Sequence, residues 1–222
     1  MPSPEMKTPE HEAIYRKVRG MILFGALPPG QAVTIQGLCA VTGAGATPVR
    51  ETIRRLTAEG ALEALGNRRV CVPRTTSEKL AQIHFLRRHL EPELARLATP
   101  HMTDKEIHFI EEKDNEVNIA IAAGDAGGYL EANYRFHFGL YAVAGADVLH
   151  HTALSLWVRM GPSLRVVCGQ VGTASLPDQH RAVLAALRRR DPAAAARALL
   201  DDIDQGYTLV ARTLGETQEP LS

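Results

Sequence analysis

Between Thr47 and Leu62 the chain reads Thr-Pro-Val-Arg-Glu-Thr-Ile-Arg-Arg-Leu-Thr-Ala-Glu-Gly-Ala-Leu. This run predicts a short helix that opens on the Thr47 hydroxyl as cap, with Pro48 at the first helical position, where a missing N–H costs nothing. Val49, Ile53 and Leu56 recur at helical spacing and face a core, which leaves Arg50 and Arg54 one turn apart on another face, with Arg55 beside them. Gly60 ends the helix. Ala61 to Leu65, Gly66-Asn67 and Arg68 to Val72 then read as two short strands around a turn. A helix that is basic outside and apolar inside, followed by a hairpin, is the second half of a winged helix-turn-helix.

The residues before it supply the first half. Ile14, Val18, Ile22 and Leu23 give a helical stripe that stops at Gly25-Ala-Leu-Pro-Pro-Gly30, and Ile35 to Val41 gives a second short helix. Charge separates this part from the rest. Residues 1–75 hold ten Lys/Arg against six Asp/Glu, a net of +4, and the other 147 hold fifteen against nineteen, so the overall zero hides a basic module and an acidic one. A modest positive charge suits a reader of phosphate backbones.

After Arg74-Thr-Thr-Ser77 the strand signals stop. Helical patterns cover residues 78–99, 103–123, 126–144, 147–168 with a possible break at Gly161-Pro162, 176–190 and 192–214. The expected architecture is mainly α: a winged helix-turn-helix over residues 8–75, then an all-α antiparallel helical bundle over 76–215. Cys39, Cys71 and Cys168 are scattered and form no C-x-x-C pair, which speaks against a disulfide framework and a zinc ribbon and for a reducing cytoplasm. No apolar run is long enough to span a bilayer, and the first residues lack the apolar stretch of a signal peptide, so no membrane association is expected.

Taken together, Gly25-Ala-Leu-Pro-Pro-Gly30, the Thr-Pro-Val-Arg-Glu run through Glu59-Gly60, Phe136-His137 with His180, and the Asp191-Pro192-Ala193-Ala194 turn resemble the GntR transcription regulators. Within them the chain resembles the FadR-like subfamily, whose helical effector-binding domain is called FCD. The resemblance spans residues 11 to about 212. It implies a DNA-binding regulator acting as a homodimer on a palindromic operator, and not an enzyme. The family commonly has Ser-Arg before Thr-Pro-Val-Arg, where this chain has Gly45-Ala46, and a glycine in the wing turn, where it has Arg69. The expected DNA contacts are therefore Thr47, Arg50, Arg54, Asn67, Arg68 and Arg69, with Arg50 nearest the helix start as the base reader. The plain alternative has Arg50 and Arg54 solvating an outer face or pairing with Glu51 and Glu59.

The same resemblance implies a divalent metal in the helical domain, held through an Asp, a His four residues later and two further His. Aligned by motif, these positions are Asn133, His137, His180 and Asp202, so two match and two depart. Two imidazoles, a carboxylate and an amide oxygen make a sphere for zinc, with nickel or manganese as alternatives, and leave positions for water or a small carboxylate effector. Without the resemblance, His137 and His180 read as hydrogen-bonded core residues. Arg88 is the expected anchor of the effector, with an intrahelical ion pair to Glu91 or Glu93 as its plain alternative; Tyr134, Trp157 and Arg165 are further candidates for the lining, Trp157 reading more simply as core. The remaining histidines carry no role. Two rival functions stand beside this reading: a metal-dependent helical-bundle enzyme, and an effector-independent DNA binder whose bundle is structural.

Overall fold

A computed structural model describes residues 9–66, 69–171 and 179–218. Helix α1 (Glu10–Leu23) buries Ile14, Tyr15, Val18, Ile22 and Leu23 along one stripe. A turn through Gly25, in the left-handed region at φ +74, leads to strand β1 (Ala32–Val33). Helix α2 (Ile35–Thr42) starts under the Thr34 hydroxyl, which accepts from the Gly37 N–H at 3.0 Å. Helix α3 (Ala46–Ala58) buries Val49, Thr52 and Leu56, and Ile53 is only partly covered.

Helix α3 corrects one detail of the sequence reading. Its N-cap is Gly45 with no side-chain cap, so Thr47 lies within the first turn, exposed, and caps nothing. Pro48 is the third helical residue. It is tolerated for the expected reason, since the first-turn N–H groups lack partners in any case. Strands β2 (Glu63–Leu65) and β3 (Arg69–Cys71) form the hairpin, paired Glu63 with Cys71 and Leu65 with Arg69. β1 adds to the other side of β3, giving the sheet order β1-β3-β2. A two-residue strand has no periodicity to read, which is why the sequence suggested only two.

Six further α-helices follow among the described residues: α4 (Ser77–Ala98), α5 (Asp104–Ala123), α6 (Ala126–Val143), α7 (Asp147–Val171), α8 (His180–Arg188) and α9 (Pro192–Gln218). Their starts are set by capping side chains: Thr76 for α4, the reciprocal Thr103–Glu106 box for α5 and Asp125 for α6. The first residues of the helix expected at 176 lie outside the described residues. α4 packs along α9 and α7, α5 along α6, and α8 along α9.

α7 runs unbroken through Gly161 and Pro162. The glycine serves a contact there. A Cβ on Gly161 would stand 2.3 Å from the Leu23 carbonyl oxygen, so its bare backbone is what lets the end of α1 lie against α7. One apolar core therefore runs from Val18, Ile22 and Leu56 of the winged helix into Leu94, Phe136, Trp157 and Leu199 of the bundle.

Candidate DNA-binding face and metal centre

Arg50 stands exposed on α3 and joins no ion pair among the described residues. It shares a shallow cleft of about 350 Å³ with Arg69 of β3, over a floor of Val33, Ile35 and Ile53. Recognition helix and wing thus present two cations side by side. Arg54 is different: its guanidinium grips Glu51 with Nε at 3.0 Å from Oε2 and Nη2 at 2.6 Å from Oε1, so for this residue the pairing alternative describes the free chain. Arg55 turns inward, 3.5 Å over the Tyr15 ring, and bonds Glu12 and Glu59. Its role is to hold α3 against α1. Asn67 and Arg68 lie outside the described residues.

In the bundle, His137 of α6, His180 at the start of α8 and Asp202 of α9 converge, with a ligand atom from each lying within 4.8 Å of the others. Both imidazoles are buried, and Asn133, one turn before His137, lines the same cavity. Asp202 uses Oδ1 to accept the Gln179 N–H, and its Oδ2 lies 3.4 Å from His137 Nε2. Burial raises the Asp202 carboxyl, but the hydrogen bond and charge of His137, the charge of His180 and the backbone N–H outweigh it and hold the group down to about 2. Burial lowers His137 from its ordinary value, so near neutrality this is an uncharged ring beside a carboxylate.

The proton arithmetic around His137 is the informative part. Tyr141 donates its hydroxyl proton to Glu91 Oε2 at 2.6 Å, and the phenol oxygen lies 3.2 Å from His137 Nδ1, where it can only accept. On the opposite side Nε2 meets the Asp202 carboxylate, a second acceptor. A neutral imidazole has one proton for two acceptors. With Nδ1–H committed to Tyr141, the Nε2 lone pair points at a carboxylate, and a cation between them removes the conflict. His180 is oriented in the same manner, its Nδ1 at 3.0 Å from Asp114 Oδ1, which assigns the lone pair to Nε2. Two imidazoles each backed by a partner, one ionised carboxylate and one amide fit a divalent metal in both chemistry and orientation.

The cavity beside this cluster measures about 40 Å³. That is room for an ion with a water or a carboxylate head group, well below the roughly 300–1,000 Å³ of sites that enclose whole organic ligands.

Neither Arg88, the expected anchor of an effector, nor Tyr134 or Arg165, expected beside it, lines this cavity. Arg88 faces outward and pairs with Asp204 Oδ1 at 3.0 Å. Its neighbour Arg87 points in, because the buried stripe of α4 runs Leu80, Ile83, Arg87, Glu91, Leu94, and one residue further on is about 100° round the helix. Arg87 holds Glu91 with Nε at 2.5 Å and Nη2 at 3.0 Å, and Trp157 Nε1 donates to the same carboxylate at 3.0 Å. Tyr134 turns away from the cavity toward Phe24, Phe138 and Trp157, and the Arg165 stem covers Gly25 at the end of α1. Trp157, for which both core and lining were open, is buried and lines the cavity. Glu91, Asp114 and Tyr141 were missed. Glu91 and Arg87 were legible as an i, i+4 pair on an otherwise apolar face, whereas Asp114 reaches His180 only through space.

Known proteins give the same outline. Residues 10–72 match the bacterial regulatory proteins of the gntR family, and residues 82–205 match the FCD domain. The HTH-type transcriptional regulator McbR of Escherichia coli (strain K12) is 26% identical over 196 residues, covering 87% of this chain and 89% of the relative. The Nta operon transcriptional regulator of Aminobacter aminovorans is 31% identical over 136 residues, 60% of this chain and 62% of the relative. Among solved structures, E. coli McbR/YncC superposes with a TM-score of 0.87 at 24% identity, covering 93% of this chain and 99% of that one. A putative GntR regulator from Rhodococcus sp. RHA1 gives 0.75 at 20% identity, covering 91% and 98%. These domains and relatives are those of transcription regulators and not of enzymes. With its N-terminal winged helix, helical second half and both matching domains, the chain belongs to the GntR family of bacterial transcriptional regulators, in the branch that carries an FCD domain.

Proposed function

We propose that the chain binds a palindromic operator as a homodimer through residues 8–75, and that residues 76–215 dimerise and hold a divalent metal whose sphere a small carboxylate completes. A single small winged helix makes few contacts, and two-fold symmetric proteins match palindromic half-sites. Arg50 and Arg69, adjacent on one cleft, are the base and backbone contacts this reading relies on. Arg54 joins them at phosphates once it releases Glu51. Relatives named as repressors, RspR of Escherichia coli (strain K12) among them, favour repression as the outcome of binding.

The observation that carries the metal reading is the single proton of His137 set between two acceptors, with His180 and Asp202 aimed at the same point. Zinc is first choice for this N/O set, nickel and manganese next. Bound there, the metal supplies a Lewis-acidic anchor for a carboxylate. His137, His180 and Asp202 hold it, Asn133 contributes an amide oxygen, and Tyr141 and Asp114 fix the two rings. The size of the cavity limits what enters it to a head group. For such binding to act as a switch it must favour one placement of the DNA-binding halves by about 1–3 kcal/mol.

Metal content of tag-free protein, wild type beside His137→Ala/His180→Ala, tests this. One equivalent in the wild type and none in the variant is expected, with EDTA lowering the wild-type melting temperature only. No metal in either, and no response to EDTA, would leave a GntR regulator whose bundle is structural.

A further inference from the structure

A second cavity, about 520 Å³, opens between the winged helix and the bundle, with α1 and α3 on one side and Tyr134 of α6 and the first turns of α7 on the other. Its charges do not cancel. Glu12 and Glu59 are taken up by Arg16 and Arg55. Arg19, which also lines the cavity, has no carboxylate within ion-pair distance among the described residues; its guanidinium rests 5.3 Å over the Tyr15 ring, and its Nε alone is buried with no acceptor. A buried N–H of a charged group with no acceptor is unfavourable, and an anion in the cleft would satisfy it. Around the same opening lie the Tyr134 phenol, Ser155 and His150, whose ring is kept below its ordinary value by burial and then by His151 and Arg19. Leu154 and Val158 form an apolar wall.

We propose that this cleft is an anion site for a small organic oxyanion, a carboxylate or a phosphate ester. The oxyanion takes the Arg19 guanidinium from α1 and hydrogen bonds from Tyr134 and Ser155, and its body lies on Leu154 and Val158. A cavity of this size holds a metabolite-sized molecule. Because Arg19 belongs to the winged helix and Tyr134 and Ser155 to the bundle, the ligand binds only where the two halves keep this placement, and so stabilises it. The site is separate from the His137 cluster and stands whether or not that cluster holds metal.

Calorimetric titration of the full chain, stripped of metal by EDTA and dialysed into phosphate-free buffer so that no carboxylate is held at the His137 cluster, with benzoate, phenyl phosphate and benzyl alcohol as probes, tests the proposal. At least one of the two anions is expected to bind once per chain, the better of them identifying the head group, while benzyl alcohol does not bind. Arg19→Gln should weaken that anion at least tenfold, and Arg88→Ala, on an outer face away from the cleft, should leave it unchanged. If Arg19→Gln does not fold, Tyr134→Phe, which removes a single oxygen, should still cost threefold or more. No binding of either anion to the wild type overturns the site. So does equal affinity in the variants, or an alcohol that binds as well as the acids.

Discussion

Glu91 is fully buried, and its two oxygens take four donors: two N–H groups of Arg87, the Trp157 N–H and the Tyr141 hydroxyl. Removing one member of such a set strands the rest, so Glu91→Ala should cost about 3–5 kcal/mol in urea unfolding. Arg88→Ala, three residues before Glu91 on the outer face of α4 and paired only at the surface, should change stability by under about 1 kcal/mol. Acid acts on the neighbouring cluster. The Asp202 carboxyl stands at about 2 against an ordinary 3.8, so its contribution is present above 3.8 and lost as pH falls through about 2. At roughly 1.4 kcal/mol per unit this amounts to about 2 kcal/mol in metal-free protein. His137, lowered from 6.5, works in the same direction, since protonating it in the fold is unfavourable. Urea unfolding of metal-free protein across pH 2–7 should show this acid limb, and Asp202→Asn should flatten its lower part. The candidate ligands were legible only through the family resemblance, which set His137 and His180 apart from ordinary core histidines. The second partner of each ring was not, because Asp114 and Tyr141 act from other helices or through a hydroxyl that looks like ordinary core.

At the scale of elements, α3 carries its own restraint. The Arg54–Glu51 pair is exposed, with Arg54 held in two hydrogen bonds, and a phosphate must displace the carboxylate to use it. Glu51→Gln should therefore tighten DNA binding severalfold and steepen its salt dependence, as fluorescence anisotropy with a labelled duplex would register. Equal affinity across salt would show that Arg54 lies off the DNA. α7 was read with a possible break at Gly161-Pro162, since proline removes a helix hydrogen bond, yet the helix continues through both residues and the glycine is used to admit Leu23. Gly161→Ala suits a helix in isolation. Here it should lower the melting temperature by several degrees, because the methyl meets a backbone oxygen that cannot step aside. The other helix starts were readable from their caps, Thr76, Thr103 and Asp125, while β1 was too short to leave a pattern.

For the molecule as a whole, composition and motif order indicated a basic reader and an acidic bundle, and the structure joins them more closely than a linker would. No described helix is long and apolar enough to cross a membrane. One apolar cluster takes in Val18 and Ile22 together with Trp157 and Phe136, beside the charged cleft between the halves. Calorimetry should accordingly give one unfolding transition with matching calorimetric and van't Hoff enthalpies, and two resolved transitions would separate the halves. That continuity was hidden from sequence, where Leu23 and Gly161 are distant and neither residue type announces a contact.

The seat of α1 on α7 also orders events during synthesis. The winged helix emerges first with the Leu23 end of α1 bare, and the Gly161 stretch that covers it is made about 140 residues later, roughly 7–30 s at bacterial elongation rates of about 5–20 residues per second. For that interval the nascent chain shows a greasy helix end and a basic surface beside the ribosome's own RNA, and the DNA-reading half reaches its final packing only when the bundle behind it has been translated.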